Sequence, residues 1–260
     1  MFPLKDNIPT QRFPVVTVAI MVICTLVYFG FERGGLSLGE TGNERVVEYG
    51  AIPYEVTHPG DECGATADGQ IACEGQPGVS GTAPDQAPTW VTIFTSMFMH
   101  GSLLHLGGNM LFLWIFGNNI EDSMSKPRYI AFYLLGGIAA LAAQIAVGPD
   151  AAVPTVGASG AIAGVLGGYA LLYPRARVVT VIFIIIFFTF VELPALVVLG
   201  LWILIQVLYG LSDIAQPVGT GGGVAYFAHI GGFVFGLLAI KLFAQRHNED
   251  YERHQRIPVY

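Results

Sequence analysis

Six apolar runs, each close to the length of one membrane crossing, limit what this chain can fold into more than any other feature. They occupy residues 13–31, 102–120, 129–147, 157–173, 194–211 and 224–244. A helix needs ~20 such residues to cross ~30 Å of hydrocarbon, so each run is read as one span. With 53% hydrophobic and only 12% charged residues, the chain is more apolar than a water-facing surface tolerates. The fold expected is an all-α membrane protein, a bundle of six transmembrane helices. The first run is read as a retained helix rather than a secretory signal, because Tyr28-Phe-Gly-Phe-Glu-Arg33 offers no small-residue cleavage site.

Basic residues gather on the cytoplasmic side of membrane proteins, which gives the orientation. Lys5 and Arg12 place the N-terminus inside, and six crossings then put ten of the twelve Lys and Arg residues inside, leaving Arg33 and Arg45 outside. Both termini are therefore expected in the cytoplasm. The divisions expected are a cytoplasmic N-terminus (1–12), a first span (13–31), an extracellular loop (32–99), a core of five further spans (100–244) and a cytoplasmic tail (245–260). The net charge of −7 comes largely from acidic residues of the outer loop and argues against a nucleic-acid partner.

Residues 178–190, VVTVIFIIIFFTF, are intensely apolar but only 13 long before Glu192-Leu-Pro194 interrupts them. That length fits a re-entrant or interfacial piece. A seventh crossing is rejected, because it would send the basic C-terminus outside and put His229 at the opposite face from Ser159.

In the outer loop, residues 57–88 are rich in Gly, Pro, Asp and Thr, and flexibility is expected there. Cys63 and Cys73 both fall in this stretch, and a disulfide across it is the expectation, with two free thiols as the alternative because spacing alone does not establish a bridge. Cys24 lies in the first span. Residues 90–99 form an amphipathic entry segment with Trp90 at headgroup level.

Polar residues in spans are expensive, so each is by default a functional candidate that should have a partner. His105 and Asn109 are four apart and share one helix face. His100 stands about 140° round from His105 and is read as a structural hydrogen bonder in the loop. Ser159, in Val156-Gly-Ala-Ser-Gly160, begins the fourth span, and His229 lies near the start of the sixth. In the six-span topology Ser159, His229 and His105 all lie within about two turns of outer helix ends. Glycines 157, 160, 164, 167 and 168 on the fourth span and 231, 232 and 236 on the sixth let those two backbones approach closely.

Gly-x-Ser-Gly, joined to His105-x-x-x-Asn109 upstream and Ala228-His229-x-x-Gly232 downstream, resembles the rhomboid intramembrane serine proteases of the six-helix bacterial type. The resemblance covers about residues 90–240. It implies Ser159 as nucleophile, His229 as base, and His105 with Asn109 as oxyanion binders, in a Ser-His dyad without an acidic third member and without a cofactor. The sequence agrees, since no Asp or Glu lies in the outer half of any span to serve as a triad carboxylate. It further implies transmembrane protein substrates cleaved near the outer face, within the lipid bilayer of a bacterial cell membrane. The fifth span and Gly219–Gly223 are then the candidates for a gate and a mobile cap. Two departures stand out. Many relatives carry an aromatic residue four positions after the serine that stacks on the histidine, whereas this chain has Ala163, leaving Tyr226, Phe227 or a residue of another helix to hold the His229 ring. Relatives also often carry Trp-Arg in the outer loop, where Trp90 is followed here by Val91. Two other readings stand beside it: a catalytically inactive relative that binds membrane clients, and a haem or metal protein using His100, His105 and His229.

Overall fold

The computed structural model describes residues 2–36, 44–66, 70–83, 86–184, 187–214 and 224–246. Each of the six apolar runs coincides with helix. We label them α1 (Val15–Leu26, continued by the π-helical turn Val27–Phe31), α2 (103–122, built from Leu103–Phe112, a π-helical turn Leu113–Gly117 and Asn118–Asp122), α3 (Lys126–Val147), α4 (Ser159–Leu172), α5 (Ala195–Ile214) and α6 (Tyr226–Phe243). Three of them, α3, α5 and α6, are long and apolar enough to cross a membrane by themselves, while α1 and α4 are shorter apolar helices.

The centre of the bundle is α4, buried from Gly160 to Ala170. A helix that is hydrophobic all round belongs inside other helices, and α4 is packed by α3 and α6 along its length. Backbone meets backbone there. A Cβ added at Gly232 would collide with the Gly160 carbonyl, one at Gly236 with the Gly164 carbonyl, and one at Gly167 with the Phe233 carbonyl. Two of the glycines expected at this seam serve elsewhere: Gly231 faces Ala143 of α3, and Gly157 faces the His105 ring.

Helix ends are tied by side chains from other elements. Pro14 precedes α1, whose first N–H groups have no partner within the helix. Glu121, near the end of α2, accepts from Val16 N and Thr17 N at 2.9 and 2.7 Å. A carboxylate at a helix N-terminus also interacts favourably with the helix dipole, by ~0.3–2 kcal/mol.

The all-helical expectation needs correction. The described residues of 178–190 lie in two paired antiparallel strands, β4 (Arg177–Ile184) and β5 (Phe187–Pro194), and β1 (Phe2–Asp6) pairs with β4 in a sheet of order β1-β4-β5. The run is dominated by β-branched and aromatic residues, which suit a pleated surface better than a helix. Its described residues form no seventh apolar helix, and Phe187, Phe188 and Phe190 remain exposed along β5. The sheet is anchored to the bundle through Asp6, whose Oδ2 accepts from Tyr169 Oη of α4 and Asn119 Nδ2 of α2, each at 2.6 Å. Burial pushes this carboxyl from its ordinary 3.8 up to about 7.

The loop between α1 and α2 also carries more structure than its composition indicated. β2 (Cys63–Ala65) pairs antiparallel with β3 (Ile71–Cys73), and Cys63 and Cys73 are joined in a disulfide. With Ile52 and Tyr54 the two cysteines form a small buried cluster of their own. Glu55 accepts from Cys63 N at 2.9 Å, and its buried carboxyl is raised above its ordinary value, chiefly by desolvation. Ala51 exchanges backbone hydrogen bonds with Thr155, so the loop is attached to the chain just before Ser159. The expected entry segment is a helix, Thr89–Thr95, followed by a 3-10 turn, Ser96–Phe98, with Trp90 exposed. Gly219–Gly223 and the tail beyond residue 246 lie outside the described residues.

Candidate active site

Local chemistry fixes where each polar side chain starts. Ser102 is the N-cap of α2, in extended conformation, and its hydroxyl accepts from His105 N at 3.1 Å. That cap satisfies one of the unpaired N–H groups of the first turn and sets the start of the helix three residues before His105. Asn109 follows one turn later on the same face. On α4 the serine is the first helical residue, preceded by Gly157 with φ of +127°, a conformation suited to glycine. A Cβ at Gly157 would lie 2.7 Å from His105 Nε2 and 3.4 Å from Ser159 Oγ. Glycine is needed there twice over, for backbone conformation and for space.

Across the α4–α6 seam, His229 Nε2 stands 2.8 Å from Ser159 Oγ. All four expected residues, Ser159, His229, His105 and Asn109, line one cavity of about 630 Å³ together with Trp202. Asn109 is buried, and its side-chain Nδ2 has no hydrogen-bond partner among the described residues. The cavity wall continues into the loop between α1 and α2 through Val46 and Val47.

The ring of His229 is held by α5. Gln206 Oε1 lies 2.8 Å from His229 Nδ1, and the Trp202 ring sits 5.6 Å from the imidazole, centroid to centroid. Gln206 and Trp202 are one turn apart, so one helix face supplies both contacts. Tyr226 and Phe227 do not take this part: Tyr226 stacks on Tyr209, and Phe227 packs at Gly210. Sequence reading missed Gln206. The available signal was a lone amide in an otherwise apolar span, which is by default a residue with a partner.

His100 differs from its expected role. Its backbone N–H, rather than its ring, makes the structural bonds, to both carboxylate oxygens of Glu32 at 3.2 Å. The ring itself is buried edge-on to His105, 5.1 Å between centroids.

Chemically, a hydroxyl within hydrogen-bond reach of an imidazole nitrogen is the pairing needed to activate a serine. Donors from α2 and the start of α4 face the same space.

Comparison with known proteins gives the kinship. Residues 87–246, more than half of the chain, match the family model described as Rhomboid domain. The chain is 30% identical over 165 residues to Rhomboid protein 1, mitochondrial, of Saccharomyces cerevisiae, covering 59% of this chain and 42% of the yeast protein. It is 28% identical over 160 residues to Rhomboid protease GluP of Bacillus subtilis, covering 62% of this chain and 24% of that protein. Presenilin-associated rhomboid-like protein, mitochondrial, of Mus musculus is 33% identical over 96 residues, or 35% of this chain and 25% of the mouse protein. The chain thus spans less than half the length of these relatives. Because they include mitochondrial proteins beside a bacterial one, kinship does not support the bacterial cell membrane expected from the sequence. The matched region takes in α2 through α6 and every side chain of the cavity's polar set, and on that ground the chain belongs to the rhomboid family.

Proposed function

We propose that this protein is an intramembrane serine endopeptidase that cuts transmembrane protein substrates near the outer face of the bilayer. The observation that carries this reading is the 2.8 Å approach of Ser159 Oγ to His229 Nε2 inside a cavity. In the proposed reaction Oγ attacks a peptide carbonyl while Nε2 takes its proton. The same proton then passes to the leaving amine, and water releases the acyl-enzyme. Charge developing on the carbonyl oxygen is met by the Ser159 N–H, His105 and Asn109, donors already in place in a site of low dielectric. The start of α4 adds the positive end of a helix dipole.

The topology proposed with it has six crossings and both termini in the cytoplasm, the arrangement that leaves ten of the twelve basic residues inside. At ~1.5 Å per residue the 14 residues of α4 reach only ~21 Å, less than the ~30 Å of hydrocarbon. Its first residue, Ser159, therefore lies below the bilayer surface, and water comes to it through the cavity. α5 is the proposed substrate gate: only Ala195, Leu199, Gln206 and Gly210 of it are buried.

The test is labelling of the full chain in detergent by a fluorophosphonate, with the modified residue mapped by mass spectrometry, alongside cleavage of a reporter transmembrane helix. Modification of Ser159 and cleavage of the reporter are expected. A well-folded preparation that does neither refutes the reading.

A further inference from the structure

Resting on the protease reading, a question of tautomers follows. For Nε2 of His229 to take the Ser159 proton, the neutral imidazole must carry its own hydrogen on Nδ1, and that N–H needs an acceptor. Within the bundle the atom that meets Nδ1 is Gln206 Oε1, at 2.8 Å. The amide is itself oriented, because its Nε2 reaches the Trp202 carbonyl at 3.4 Å, which turns the oxygen toward the ring. Gln206 is buried in a helix otherwise composed almost wholly of apolar residues. An amide so placed is costly unless its hydrogen bonds are made.

We propose that Gln206 is the positioning residue of His229, a neutral third member that selects the Nδ1–H tautomer and holds the ring at its working angle. When Oγ attacks and its proton moves to Nε2, the ring becomes an imidazolium and the Nδ1–H donates to the amide oxygen as a charge-assisted hydrogen bond, stronger than in the resting state. No proton passes to Gln206. An amide orients the ring and supports its charge without burying a second ion, whose desolvation would have to be offset. Ala163 fits this scheme: its small side chain is fully buried, and the ring support comes from α5 through Trp202 and Gln206. Because His229 belongs to α6 and Gln206 to α5, the hydrogen bond exists only while α5 is seated against α6.

The experiment compares the full-length wild type with Gln206→Met and Gln206→Glu in detergent. Reporter cleavage is resolved into kcat and KM, and the fluorophosphonate labelling rate and thermal unfolding are followed in parallel. Methionine keeps the length of the side chain and removes the amide acceptor, and glutamate restores an acceptor. Gln206→Met is expected to lower kcat and the labelling rate roughly 10- to 100-fold with KM little changed, the loss set by one buried hydrogen bond. Gln206→Glu is expected to recover most of that loss. If Gln206→Met fails to fold, Gln206→Asn, too short to reach Nδ1, takes its place with the same expected loss. Wild-type kcat in the acceptor-free variant overturns the positioning role while leaving the protease reading standing. So does a loss that tracks unfolding and is not rescued by glutamate. A wild type that neither labels nor cleaves removes the protease reading and this inference with it.

Discussion

His229 Nε2 and Ser159 Oγ meet at 2.8 Å although 70 residues separate them in the chain. The contact exists because α4 and α6 touch backbone to backbone, with Gly160 against Gly232 and Gly164 against Gly236. Ser159→Ala is expected to abolish reporter cleavage and fluorophosphonate labelling while the thermal unfolding profile stays close to wild type. The change deletes one hydroxyl and introduces a small residue with strong helix propensity. Residual turnover by this variant at wild-type rate would sink the mechanism.

Donors aimed at the oxyanion act on charge that forms only in the transition state. His105→Ala and Asn109→Ala are therefore expected to lower kcat more than they raise KM, by ~10²–10³ for a donor in full contact. Asn109 is buried and its Nδ2 is unpartnered among the described residues, so its loss leaves no internal hydrogen bond of that group broken. Steady-state kinetics on a reporter helix checks this, and wild-type kcat in both variants would refute the oxyanion assignment.

The disulfide between Cys63 and Cys73 ties β2 to β3 in the loop between α1 and α2. Its contribution is local, ~2–3 kcal/mol by loop-entropy reasoning. Cys63→Ser with Cys73→Ser is expected to leave proteolysis largely intact. In the proposed topology a membrane-impermeant thiol reagent reaches these cysteines from the outer side after reduction, and buried Cys24 stays protected. Labelling only from the cytoplasmic side would invert the topology and remove the shared outer site.

Asp6 predicts a pH dependence of stability. Burial raises its folded-state pKa from 3.8 to about 7, so between those values the folded protein holds a proton that the unfolded chain has released. The contribution to stability is full below about pH 4 and is lost as pH rises through about 7, a change on the order of a few kcal/mol. Asp6→Asn is expected to flatten the fall in stability across that window. Detergent-denaturation midpoints at pH 5 and pH 8 measure it, and equal slopes in variant and wild type would exclude Asp6 as the source.

Lengths and residue types made much of this protein legible without a structure. Six apolar runs of near-spanning length became six helices, because in a run of that kind the internal hydrogen bonds of a helix satisfy the backbone. Ser159, His229, His105 and Asn109 could be singled out as candidates because polar side chains in apolar spans stand out one at a time. Tertiary structure decided what depends on how elements turn toward one another. Which side chain holds His229 depends on the rotation of α5 about its axis, and no single-helix pattern records that angle. That β4 also pairs with β1, from the far end of the chain, is a contact that a count of apolar residues cannot contain. The Cys63–Cys73 bridge likewise needed the β2–β3 register, since spacing in sequence brings two thiols within range without facing them.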